Sequence, residues 1–244
     1  MGKSIIIIGA GLAGLSTGCY AQMNSYRTHI FEHHDTPGGV ATAWKHKDYI
    51  IDGGIHFLMG HKPGQSTYEM YRQLGTAQAN QFLDLTIYGR FIDEASGRRI
   101  EVTPDLGRLA DELKAFSSAD VRAIDNLIAG ARAMQGFDRG EMGMSKPSRL
   151  MSPLDQLKDM WKMRRVSKYF IGTYAKPVTD YVQTFHDPWL REVIRNLFLP
   201  EVPAWFILML LGMLANGQMG LLEGVVRLTS SCPSRSDIKA WAGK

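Results

Sequence analysis

The stretch Ile5-Ile6-Ile7-Ile8-Gly9-Ala10-Gly11-Leu12-Ala13-Gly14 decides how this chain is read. Four consecutive isoleucines predict a parallel strand covered on both faces. The run ends in a GxGxxG pattern, extended by Gly18, and Leu12 to Met23 then reads as a helix rich in small residues. Each glycine has a physical task. Gly9 permits the tight strand-to-helix turn, Gly11 lets a pyrophosphate approach the backbone without a Cβ in the way, and Gly14 allows close helix–strand packing. The amide groups at the helix N-terminus carry partial positive charge and hold phosphates. Thr28 to Phe31 is the next short strand, and Glu32 ends it, 18 residues after Gly14. A carboxylate there can accept both ribose hydroxyls of an adenosine and would repel a 2′-phosphate, which disfavours NADP. A glycine turn with no ligand is the bland alternative, and the strand, helix and acid around the motif argue against it.

Outward from this unit, loop residues crowd from His33 to Gly39, and a short Tyr49 to Ile51 strand closes on Asp52-Gly53-Gly54. Past about residue 60 the character changes. Ser66-Thr67-Tyr68-Glu69 has capping-box spacing for a helix running to about Leu74. Phe82 to Phe91 and Arg98 to Val102 read as two strands joined through Ala95-Ser96-Gly97. Thr103-Pro104 starts a helix with Thr103 as its N-cap and Leu106, Leu109, Ala110 and Leu113 on its apolar face. Ser117 or Ser118 opens another, burying Val121, Ile124, Leu127, Ile128 and Ala131. Gly136 to Pro153 reads as a mobile loop, and helices are expected at 153–166, 187–198 and 203–216. The expected organisation is a βαβ nucleotide unit over 1–60, a second domain of hairpin and helices over 61–224, and an atypical tail over 225–244. The fold class is α/β, a Rossmann-like unit beside an α+β domain.

Bulk numbers restrict the partners. The 244 residues suffice to bury a core, 45% are hydrophobic, and a net charge of +4 spread along the chain gives no sign of nucleic-acid binding. Basic residues gather from Lys158 to Lys168, interleaved with Trp161 and Met163; a solvated helix face and contact with anionic lipid headgroups are the two readings. Cys19 and Cys232 lack CxxC spacing, so neither a disulfide framework nor a zinc site is expected, and a cytoplasmic setting is favoured. His33 and His34 adjoin Glu32, but neighbouring side chains diverge, which argues against a metal site there. The apolar run after Ser4 is too short for a signal peptide, and Ala204 to Ala215 is too short to span a bilayer. Trp205 to Leu214 is apolar around every helical face, as for a core helix or the wall of a lipid pocket opening towards a membrane.

The segment Pro37-Gly38-Gly39-Val40-Ala41-Thr42, leading into Tyr49-Ile50-Ile51-Asp52-Gly53-Gly54-Ile55-His56-Phe57, resembles the phytoene desaturase and carotenoid isomerase branch of the FAD-dependent amine oxidase superfamily. The resemblance continues through Gly97 to Phe137 and Pro200 to Ala204 and covers residues 4 to about 224. It implies that Gly9, Ala10, Gly11, Leu12, Ala13, Gly14, Glu32, Gly38, Gly39 and Val40 bind the ADP half of FAD. It also implies that Gly54, Ile55 and His56 lie near the flavin ring, with His56 either an acid/base group or a hydrogen-bonded loop histidine. Val40 stands where the family usually carries an arginine. Family members are about twice this length, so the chain is read as their N-terminal half, with an exposed sheet edge and a poorly packed tail.

Three function classes follow. The first is an FAD-dependent desaturase, isomerase or saturase of a carotenoid or another isoprenoid lipid, with hydride chemistry supplied by the flavin. The second is an NAD-dependent dehydrogenase, which Pro37 to Gly54 argues against. The third is a truncated, non-catalytic fragment that keeps the adenine site.

Overall fold

A computed structural model of the chain describes residues 3–41, 43–54, 57–65, 67–79, 81–135, 151–222 and 238–240. The elements begin with β1 (Ser4–Ile8), α1 (Leu12–Met23), β2 (Arg27–Glu32), β3 (Ala43–His46), β4 (Tyr49–Asp52) and β5 (Leu58–Met59). They continue with α2 (Tyr68–Gln73), α3 (Thr76–Ala79), β6 (Phe82–Asp84), β7 (Gly89–Ile92), β8 (Arg99–Val102), α4 (Leu106–Phe116) and α5 (Val121–Gln135). The last are α6 (Pro153–Met163), α7 (Val178–Tyr181), α8 (Pro188–Arg195), α9 (Trp205–Ala215), β9 (Met219–Leu222) and β10 (Ile238–Ala240). This is a mixed α/β chain of two units, residues 1–83 with 220–244, and residues 84–219. Residues 61–83, expected in the second domain, instead pack with the nucleotide unit.

The first unit is built on a parallel sheet in the order β1-β2-β10, with Ser4 opposite Arg27, Ile8 opposite Phe31 and Ile238 opposite Ile30. The tail read as poorly packed thus supplies one strand, while residues 223–237 and 241–244 lie outside the described residues. The core under α1 is small: Ala10, Leu15 and Ile30, with Ile7 packed against them. The expectation that both faces of β1 are covered is corrected here, because Ile6 is 68% and Ile8 90% exposed. Only α1 lies on this strand among the described residues, so alternate side chains remain in solvent. Beside the sheet, β3 and β4 form an antiparallel hairpin with Trp44 opposite Ile51. Cys19 is disulfide-bonded, against the expectation, and its partner lies outside the described residues. Spacing along a chain does not report the approach of two Cα atoms in space, which is what a disulfide requires.

The second unit holds the larger core. The expected strand Phe82 to Phe91 is two, β6 and β7, and β7 pairs with β8 around Gly97 at φ +70°. Helix α4 buries the expected face, but Asp105 rather than Thr103 caps it, accepting from the amides of Gly107 and Arg108. On α5, Ile124, Leu127, Ile128 and Ala131 are buried as expected, while Val121 is exposed. Every residue of α9 from Ile207 to Leu214 is buried, and α9 packs on α5 through two glycines. A Cβ at Gly130 would meet Leu208 at 2.8 Å, and one at Gly212 would lie 2.7 Å from the Ala131 carbonyl oxygen. The absence of those side chains lets the helices approach until their apolar surfaces interlock. The mobile loop expected over 136–153 lies outside the described residues as far as position 150.

A polar knot ties the ends of this core together. The buried Asp120 carboxylate accepts from the His186 amide at 2.6 Å, the His186 ring Nδ1 at 2.9 Å, the Asp187 amide at 2.9 Å and the Ser117 hydroxyl at 2.8 Å. Burial alone would raise its pKa; these donors overcome that and hold it at about 2, below the ordinary 3.8. The knot therefore stabilises the fold fully above the ordinary value and loses its contribution as pH falls through about 2. Replacing Asp120 by Asn should lower the urea midpoint near neutrality, with the gap to the parent closing as the pH approaches the lower value. Leu208→Ala, at a fully buried site, should cost about 2–5 kcal/mol in the same measurement.

Candidate functional site

The site forms where β1 ends, and its geometry starts with backbone conformation. Gly9 has φ +96°, a region that side chains avoid, and its amide donates to the Phe31 carbonyl at 2.7 Å. This bond aligns the turn with the end of β2. Gly11 then serves as the N-cap of α1 in extended conformation, so it brings no capping side chain, and the first turn of α1 contains no acidic residue. The first amides of α1 are thus left without a side-chain acceptor, the arrangement that receives an anion. Gly14 sits one turn on, where a Cβ would fall 2.0 Å from the Gly9 carbonyl oxygen and 3.3 Å from Ile7 Cγ2. The helix can therefore lie on its strand only with glycine at this position.

Glu32 is placed by the end of β2 beneath the same turn. Its Oε2 accepts from the Ala10 amide at 2.6 Å, and its Oε1 accepts from the amides of His33 at 2.8 Å and His34 at 3.0 Å. The side chain is buried, and its pKa is lowered, first by the His34 amide and then by the Ala10 amide, against the opposing effect of burial. Ionised, the carboxylate has about four acceptor directions, and three are occupied by backbone amides. One direction on Oε2 is left for a ligand hydroxyl; accepting two ribose hydroxyls would require a bond to His33 or His34 to open. This backbone clamp was not legible in the sequence, because amide donors leave no signature in side-chain type.

A second loop closes on the first. The Gly38 amide donates to the Ala10 carbonyl at 2.8 Å, and Gly11 and Gly38 form an isolated parallel bridge. Gly38 and Gly39 have φ +135° and +58°, and a Cβ on Gly39 would lie 3.1 Å from Gly11 Cα. Gly54 is drawn to the same place: its Cβ would lie 2.8 Å from the Val40 carbonyl oxygen. Val40 is 84% exposed, and its Cγ1 lies 3.5 Å from where a Cβ on Gly54 would stand. Gly9, Ala10, Gly11, Gly14, Glu32, Gly38, Gly39, Val40 and Gly54 are thus brought around one turn, with Leu12 and Ala13 in the first turn of α1. Ile55 and His56 lie outside the described residues. Gly11, the cap of α1, and Gly14 within it differ sharply in what an added methyl group would meet, since a Cβ at Gly11 finds only Gly39 Cα at 3.9 Å. Thermal unfolding should therefore show Gly14→Ala destabilised by about 1–3 kcal/mol and Gly11→Ala within about 0.5 kcal/mol of the parent.

Comparison with known proteins matches this geometry. A family model described as an NAD(P)-binding Rossmann-like domain matches residues 7–74. The 15-cis-phytoene desaturase of Narcissus pseudonarcissus is 35% identical over 75 residues, which cover 30% of this chain and 13% of that protein. Its counterpart in Glycine max is 41% identical over 61 residues, covering 25% of this chain and 11% of that protein. Among solved structures, putrescine oxidase bound to putrescine superposes with a TM-score of 0.54 at 14% identity, covering 98% of this chain and 51% of that one. Cyclohexylamine oxidase from Brevibacterium oxydans IH-35A gives a TM-score of 0.55 at 17% identity, covering 98% and 50%. The chain thus spans about half the length of the oxidases whose fold it shares. Residues 7–74 therefore match a Rossmann-like domain, and the chain shares the fold of these oxidases over about half of their length.

Proposed function

We propose that the turn at Gly9 binds the ADP half of FAD, and that the chain serves a flavin-dependent oxidoreductase acting on a large apolar substrate. Desaturation, isomerisation or saturation of a carotenoid or another isoprenoid lipid is the chemistry in view, supported by the local identity to phytoene desaturases. The observation that carries the nucleotide part is the uncapped N-terminus of α1, bordered by Gly39 on one side and by the ionised Glu32 on the other.

In this reading the amides of Leu12 and Ala13 face the diphosphate, and Gly9 and Gly11 leave its path free of side chains. The remaining acceptor direction of Glu32 Oε2 takes one ribose hydroxyl. Held between three amides, Glu32 needs no reorganisation when the sugar arrives, and its charge disfavours a 2′-phosphate. Gly38 and Gly39 bring a second stretch of backbone to the diphosphate, and Gly54, Ile55 and His56 are assigned to the flavin side by resemblance. The bound flavin would supply hydride acceptance, and the protein's part is to bind, orient and exclude water.

Nucleotide binding without flavin chemistry is the second reading, since the described residues around the turn account for the ADP half alone. The description of the matched domain keeps an NAD-dependent dehydrogenase as a third. Titration of the purified chain with FAD, ADP and NAD separates them. The proposal expects FAD to bind with a perturbed flavin spectrum and ADP to compete with it. Equal affinity for FAD and ADP, with an unperturbed flavin spectrum, identifies nucleotide binding without flavin chemistry; preference for NAD identifies the dehydrogenase. Glu32→Ala should weaken ADP about 10- to 100-fold, the worth of a hydrogen bond to a charged group at about 1.5–3 kcal/mol. Gly11→Val should also abolish tight binding, and dinucleotide held by both variants as firmly as by the parent would refute the site.

A further inference from the structure

A cleft of about 420 Å³ opens in the second unit where α5 begins, with Asp120, Arg122, Asn126, Tyr174, Tyr181 and His186 among its lining residues. That volume is in the range of small-molecule sites. The His186 side chain is 76% exposed, while the Asp120 carboxylate that meets its Nδ1 at 2.9 Å is fully buried. An ionised carboxylate can only accept, so Nδ1 carries the proton and Nε2 of the neutral ring is left as an acceptor. Asp120 itself has nothing to offer a ligand, because its four donors fill its acceptor directions. Its effect on the cleft is to fix the imidazole.

Arg122, in the first turn of α5, is exposed and has no ion-pair partner among the described residues. Nearby acids do not cancel its charge. Asp120 is the sole carboxylate among the lining residues, and Asp125 on α5 is held by Lys114 at 2.5 Å. Asp180, beside Tyr181 on α7, is exposed and does not line the cleft. Tyr174 and Tyr181 supply aromatic surface, with ring centres 5.4 Å apart and planes inclined by 38°. The Tyr174 hydroxyl donates to the Asn126 carbonyl at 3.3 Å and so ties the two sides of the cleft together.

We propose that this cleft binds a hydroxylated aromatic carboxylate. Each part of the ligand answers one lining group. The Arg122 guanidinium pairs with the carboxylate, and His186 Nε2 accepts from the hydroxyl. The tyrosine rings take the planar ring in offset or edge contact. A purely apolar molecule would leave both polar groups unused, and a polyanion would meet a single permanent cation. The assignment is independent of the site at Gly9.

Calorimetric titration of the full chain with 3-hydroxybenzoate, 4-hydroxybenzoate, benzoate and phenol tests it. At least one hydroxybenzoate should bind. Benzoate should be about 3- to 10-fold weaker for the lost neutral hydrogen bond, and phenol about 10- to 100-fold weaker for the lost charged one. His186→Ala should weaken the hydroxybenzoate to the level of benzoate and leave benzoate unmoved. Arg122→Gln should weaken both carboxylates and leave phenol unmoved. Circular dichroism should match the parent for both variants, since Arg122 lies outside the Asp120 knot and that carboxylate keeps three donors without the imidazole. Should His186→Ala unfold, Arg122→Gln and the ligand series decide. Absence of binding, equal affinity for hydroxybenzoate and benzoate, or affinities unmoved by Arg122→Gln overturns the proposal. So does a folded His186→Ala protein that loses hydroxybenzoate and benzoate equally, which would make the ring a part of the fold alone.

Discussion

The bond from the Ala10 amide to the Glu32 carboxylate joins the two halves of the candidate site at Gly9, and the rest of that site depends on it. Ala10 lies in the turn after β1, and Glu32 ends β2. Their 2.6 Å contact fixes the turn relative to the strand that would carry the sugar. With the Gly9 amide held by Phe31, the Ala10 carbonyl is turned outward to receive the Gly38 amide. One side chain, Glu32, and two glycines, Gly9 and Gly38, thereby position two loops and the start of a helix. Such a turn presents backbone dipoles at no further conformational cost when a ligand arrives, the physical content of preorganisation.

The two units differ in how they resist unfolding. The first relies on close backbone approach around a small core, with isoleucine side chains of β1 left in solvent. The second buries an entirely apolar helix against α5 and fastens its periphery with Asp120, whose four donors come from residues on both sides of α5 in sequence. Arg98 extends that knot through its 2.9 Å ion pair with Asp187, which also caps α8, while its guanidinium lies near the Phe116 and Trp189 rings. Hydrophobic area dominates the stability of the second unit; steric fit at glycine is the sensitive feature of the first.

The nucleotide turn was readable because its determinants are local. Positive φ at Gly9 and the missing side chain at Gly14 follow from residue type within six positions of one another. The faces of α4 and α5 were readable from helical period for the same reason. The Glu32 clamp, the Asp120 knot and the disulfide at Cys19 join groups far apart in sequence or use backbone donors, which no pattern of side chains encodes. Phe82 to Phe91 reads as continuous because propensity does not register where pairing stops, and Thr103 reads as the cap although Asp105, also a good capping residue and two positions on, takes that place.

Sequence by itself determined the βαβ unit, the glycine turn, the acid that answers it and the helical faces of the second unit, since each rests on sterics or periodicity inside a short window. Tertiary structure alone decided which faces are covered. It left Ile6 and Ile8 in solvent where four isoleucines predicted burial, and it put the apolar stripe of α6 outside while sealing α9 inside. Hydropathy states what a residue would gain from burial; only the packing of distant segments decides whether there is anything to bury it against.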